Sequence, residues 1–155
     1  MSHEDDAPAP EDEQTRRQAL RGGALCEPAS TAAARVMAAG RVIVEVLGLE
    51  PKSPNRHTHY LTQARHVRRA RKAVREALAP FTPPPPPWRV ALVRFGLRTL
   101  DDDNATASMK GVRDEVASWL RVNDGDTARV RFVVAQEVAP AYGVGIGVER
   151  VEGAT

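Results

Sequence analysis

Cysteine, lysine and aromatic residues are all scarce in this chain. Cys26 is the single cysteine among 155 residues, so no disulfide can close within the chain, and a reducing, cytoplasmic setting is expected. One cysteine cannot build a zinc site without histidines at ligand spacing. His57 and His59, two apart in a loop, read as solvated or phosphate-facing. No apolar run approaches a membrane span, since Val42–Leu49 is broken by Glu45, and the acidic first residues do not read as a secretory signal. The expectation is a soluble protein with no membrane partner. Aromatics make up 5% of the chain and hydrophobic residues 42%, enough for one domain with a modest core.

What the chain does have is arginine, and a lopsided charge distribution. Three lysines (Lys52, Lys72, Lys110) stand beside nineteen arginines. The net charge of +2 hides an acidic start, six carboxylates and no Lys or Arg in residues 1–13, and a basic stretch, eight Lys or Arg and no acid in residues 51–75. Such a body suits a polyanion partner, or simply a solvated helix face.

Residues 1–40, rich in Ala, Pro, Glu and Gly, read as a disordered acidic extension. Order is expected over 41–155. Val42–Leu47 is β-branched and bounded by Gly48, hence a strand; Pro51 and Pro54 then impose an extended loop. Leu61, Ala64, Val67, Ala70/Arg71, Val74 and Leu78 recur at helical spacing over Tyr60–Ala79, with arginines around the rest of the circumference. Pro83–Pro87 forms a stiff connector to a second strand, Trp88–Phe95. A helix with Met109, Val112, Val116 and Trp119/Leu120 as its apolar stripe follows. Two strands, Ala128–Ala135 and Tyr142–Val151, then read as a hairpin closed by a longer loop. The order β-α-β-α-β-β predicts an α+β fold, a small mixed four-stranded sheet with helices packed on one face.

Seven carboxylates and one lysine fall between Asp101 and Asp126. Leu100-Asp101-Asp102-Asp103-Asn104 leaves the second strand, and Asn123-Asp124-Gly125-Asp126 is a turn by composition. If one helix starts near Asp103, Lys110 and Asp114 lie within roughly 20° of the same line at about 100° per residue. Carboxylates at a strand exit and helix start, beside basic surface, are suited to holding Mg²⁺ against a phosphodiester, with Lys110 neutralising developing charge. The same acids also suit helix capping, and Lys110–Asp114 suits an ordinary surface pair.

Taken in order, Leu100–Asn104, Lys110, Val112-Arg113-Asp114 and Val122–Asp126 resemble the RusA family of Holliday junction resolvases, its prophage-type members above all. Upstream, Pro51-Lys52-Ser53-Pro54-Asn55-Arg56 resembles the family's Pro-x-Ser-x-Asn loop, and the match covers about residues 41–150. The resemblance implies a homodimeric, Mg²⁺-dependent endonuclease domain over 41–155 that nicks four-way DNA junctions symmetrically. It makes Asp101, Asp103 and Asp124 the metal ligands and, with Lys110, the catalytic residues. The DNA grip falls to Asn55, Arg56, Arg65, Arg68, Arg69, Arg71 and Lys72. In three places the chain departs from the pattern. Lys110 stands six residues after Asn104 with Ala107 at the usual lysine place, Asn123 replaces one acid of the closing pair, and Gln136 stands where a lysine is often found. The rival readings are a Mg²⁺ nuclease for flaps or other branched DNA, and a basic DNA-binding module without catalysis.

Overall fold

The computed structural model describes residues 31–37 (as backbone), 40–52 and 60–151. Strands β1 (Thr31–Met37) and β2 (Arg41–Leu47) precede helix α1 (Tyr60–Leu78) and strand β3 (Trp88–Gly96). Helices α2 (Asp102–Ser108) and α3 (Lys110–Leu120) follow, then strands β4 (Val130–Val138) and β5 (Gly143–Arg150). The fold is α+β with a mixed sheet in the order β1-β2-β5-β3-β4. The four strands read from the sequence are present. β1 adds a fifth at the edge, pairing antiparallel with β2, and lies within the stretch read as an extension.

The strand pairing differs from the expected hairpin. β5 inserts between β2 and β3, antiparallel to both, and β4 pairs with β3 in parallel, so β4 and β5 never touch as partners. The reason is burial. Val144, Ile146 and Val148 of β5 are buried, which suits a central strand; β4 buries fully only Val130 and fits an edge.

Alternation builds the core on one side of this sheet. Val42, Val44 and Val46 of β2 and Val90 and Leu92 of β3 join those β5 residues, and α1 and α3 cover them with Val74, Leu78, Val112, Val116 and Leu120. Only the later part of the predicted α1 stripe is buried. Leu61 and Val67 are exposed, and Val67 lies beside the start of α3: a Cβ on Gly111 would lie 3.4 Å from Val67 Cγ1. Further along, Arg71 and Arg75 reach Glu115, and the Trp119 indole donates to the Phe81 carbonyl at 3.3 Å. The contacts advance together, so the two helices run side by side in the same direction. α3 closes on Arg121 in the left-handed region (φ 57°), with Val122 N–H on the Ala117 carbonyl and Arg121 N–H on that of Ser118.

Candidate functional site

After Gly96 the chain turns from the sheet into α2, and two side chains hold the turn. Gln136 on β4 donates from Nε2 to the Leu100 carbonyl at 2.8 Å and accepts the Leu100 N–H through Oε1 at 2.9 Å, satisfying both backbone groups of one loop residue. Arg94 on β3, only 4% exposed, donates from Nη1 to the Arg98 carbonyl at 3.0 Å, while its Nε has no hydrogen-bond partner. Its guanidinium occupies the space over Gly96, where a Cβ would lie 2.8 Å from Nη1.

That turn delivers Asp101 to the N-cap of α2. Its Oδ1 accepts the Asn104 N–H at 2.9 Å and its Oδ2 accepts Asn104 Nδ2 at 2.6 Å. These bonds, the backbone one foremost, hold the carboxyl below the usual carboxylate range. Asp102 and Asp103 are exposed in the first turn, where the helix dipole favours negative charge.

The straight Asp103–Lys110–Asp114 ridge is interrupted, because what the spacing treats as one helix is two. At Met109 (φ −90°, ψ −1°) α2 ends and α3 begins. Met109 is fully buried and shares its N–H between the Ala105 and Thr106 carbonyls, so the core anchors the junction of the two helices. Lys110 and Asp114 remain together, with Nζ 3.1 and 3.2 Å from the two carboxylate oxygens. Lys110 is the first residue of α3, at the positive end of the helix dipole, and lysine before aspartate is the weaker order for such a pair. Helix stability does not account for this lysine, whose side chain is 72% exposed.

The second acidic turn is held from α3. Arg113 Nη2 donates to the Asp124 carbonyl at 2.9 Å, its Nε lies 3.5 Å from Asp124 Oδ2, and its guanidinium sits 4.9 Å over the Phe132 ring. Asn123 Oδ1 accepts the Gly125 N–H at 2.9 Å. Arg129 Nε donates to Asp126 at 2.6 Å and, as the largest cause, holds that carboxyl below its ordinary range.

Asp101, Asp103 and Asp124 are therefore not gathered into one cage, and among the described residues no three His, Cys, Asp or Glu side chains converge on a metal position. The donor chemistry fits a hard cation on a smaller set. Mg²⁺ takes oxygen ligands, often one or two carboxylates plus waters, and Asp101 and Asp103 sit two residues apart at one helix start. The Asp101 oxygens keep lone pairs beyond those used by Asn104.

Of the residues assigned to DNA, Asn55 and Arg56 lie outside the described residues. Arg65, Arg68 and Lys72 are exposed on α1. Arg71 is bound within the protein: its Nε donates to Glu115 Oε2 at 3.0 Å, and Arg75 adds bonds of 2.7 and 3.1 Å to the same carboxylate. The Glu115 side chain is 4% exposed, and the arginines, Arg75 first, hold its carboxyl below the ordinary range. Arg69, with His66 three residues before it, instead lines a cavity of about 400 Å³ at the sheet end where β2 exits, β5 enters and β3 leaves through Leu97. Sequence reasoning missed this cavity and the Glu115 clamp. The clamp had a signal, since Glu115 interrupts the apolar stripe of Val112 and Val116 while Arg71 and Arg75 are spaced one helical turn apart.

No protein-family model and no curated protein matches the chain. Among solved structures, the chain is similar to the crystal structure of the periplasmic domain of MotB at 12% identity and a TM-score of 0.38, covering 99% of this chain and 92% of that one. At that score the likeness carries no argument about function.

Proposed function

We propose that this chain is an endonuclease for branched DNA, acting with Mg²⁺ on four-way junctions as a symmetric homodimer in the cytoplasm. The observation that supports it is shared placement at one sheet end. The segment leaving β3 contributes Leu97 to the cavity lined by Arg69 and His66 and, four residues later, Asp101 at the N-cap of α2. Acids suited to a phosphodiester site thus follow, within four residues, the segment that lines a cavity with basic side chains suited to a DNA backbone.

In this reading Arg65, Arg68 and Lys72 hold phosphates without reading sequence. Asp101 and Asp103 would hold Mg²⁺, which when bound would supply Lewis-acid polarisation and an activated water. Gln136 and Arg94 keep the acid-bearing turn fixed, and Lys110 places a cation where charge develops on the phosphate. Two copies related by a two-fold axis set two sites against opposed strands.

One observation favours a second reading, a basic DNA-binding module without catalysis. Asp101 is satisfied as a helix cap and the Asp124 carboxylate pairs with Arg113 at 3.5 Å, so both acids have structural work. Cleavage of a labelled synthetic four-way junction, against matched duplex and flap, with Mg²⁺ and with EDTA, separates the two. Paired, Mg²⁺-dependent nicks lost in Asp103→Asn with binding kept support the nuclease. Tight binding without any cleavage supports the module, and cleavage of flaps alone keeps the enzyme and changes its substrate.

A further inference from the structure

The cavity at the sheet end has two unlike walls. One is apolar: Leu49 is buried, and Leu97, Pro140 and the half-buried Tyr142 continue it. The other is basic, formed by Lys52 and Arg69 with His66 between them in the lining. The two that α1 contributes, His66 and Arg69, are set apart from their neighbours on that helix. Arg65, Arg68 and Lys72 stand in solvent, whereas His66 and Arg69, three residues apart on one helix face, are half-buried, as is Lys52. Glu50 lies 3.8 Å from Lys52 Nζ and offsets part of the charge without removing the excess of cations. The backbone fixes the floor: Gly48, at φ +75°, turns β2 out of the sheet and donates its N–H to the Tyr142 carbonyl at 2.9 Å.

We propose that this cavity receives one unpaired nucleotide of a DNA strand, with the base against Tyr142 and the apolar wall and its phosphate on Lys52, His66 and Arg69. The volume is that of a small-ligand site, too narrow for a duplex but adequate for a single nucleotide. An aromatic face beside a cationic wall is the pairing that single-strand binding uses, stacking for the base and charge for the backbone. A duplex offers neither an unstacked base nor a single phosphate to such a recess; a branch point offers both. The inference rests on the branched-DNA reading and deepens it, by naming an unpaired nucleotide as what the chain recognises.

The test is binding of a fluorescently labelled thymidine oligonucleotide and of matched duplex to the full chain in EDTA, so that cleavage plays no part. Tyr142→Ala should weaken single-strand binding by about tenfold, the scale of one stacked base, and Tyr142→Phe should restore it. On adding thymidine 5′-monophosphate to the parent, the Gly48 and Tyr142 resonances should shift in NMR spectra. Unchanged single-strand affinity in Tyr142→Ala overturns the proposal. So does an equal loss of duplex affinity, which would mark a general phosphate surface, and so does an absence of shifts at Gly48 and Tyr142. Junction cleavage in Mg²⁺ is scored separately, so failure of the cavity leaves the nuclease standing, and loss of the nuclease leaves a nucleotide-binding cavity.

Discussion

Glu115→Gln isolates the charge that joins α1 to α3 while leaving its size unchanged. In the parent, three donors converge on a carboxylate that is 4% exposed: Arg71 Nε at 3.0 Å, Arg75 Nε at 2.7 Å and Arg75 Nη2 at 3.1 Å. A glutamine offers one acceptor oxygen and turns an NH₂ donor toward a guanidinium, so at least one bond is lost and the others lose their charge assistance. Each bond to a charged group contributes about 1.5–3 kcal/mol. The arginine side chains, however, are 42% and 66% exposed and can turn to water, which discounts the sum. The expected loss is about 2–3 kcal/mol, or a fall in Tm of about 6–12 °C for a domain of this size. The pH dependence has a definite sign. The arginines, Arg75 first, depress the Glu115 pKa, so its contribution is fully present above the ordinary carboxylate pKa and fades as pH falls through the depressed value. Urea titrations of parent and variant should therefore show a constant gap near neutrality that narrows below about pH 4. A loss under about 0.5 kcal/mol at neutral pH, or a gap that does not narrow in acid, would refute the clamp.

Other substitutions probe the site and its supports. Gln136→Leu releases both backbone groups of Leu100, and junction cleavage should slow about tenfold with junction affinity kept, measured as a fall in kcat with KM unchanged. Lys110→Ala should keep binding and lower the cleavage rate by about a hundredfold in single-turnover assays; cleavage at the parental rate removes it from the mechanism. Neutralising Arg65, Arg68 and Lys72 together should flatten the dependence of junction affinity on salt, with Tm unchanged, because these three are exposed. Arg121→Gly should stabilise by about 0.5–1 kcal/mol in urea titration, relieving a left-handed cap on a residue with a Cβ; a loss of stability would show that the arginine side chain outweighs the strain.

The fold was legible where burial writes a period into the sequence. Val42, Val44 and Val46 alternate, Val74 and Leu78 fall on one helix face, and both are buried as read. Strand order was not legible, because Ala128–Ala135 and Tyr142–Val151 carry hairpin-like spacing, and only the burial of Val144, Ile146 and Val148 reveals that β5 belongs at the centre. The break at Met109 was hidden for a related reason. A buried methionine at helical spacing fits a continuous stripe, and nothing in its neighbours announces the junction. At the candidate site the acids were legible as a motif, but their local partners were not. Asn104, Arg113 and Arg129 each engage an acid through distances that composition does not encode. Arg71 looked like its neighbours Arg68 and Arg69, and a partner forty-four residues away decides that it pairs within the protein.

The two bonds from Gln136 to Leu100 make a side-chain amide serve as one more rung of the β3–β4 ladder. A turn that would otherwise hinge freely is thereby an extension of the sheet, and Asp101 inherits the stiffness of β4. The acid-bearing turn cannot swing to meet a substrate. The acids thus sit on an anvil, and it is the substrate that has to come to them.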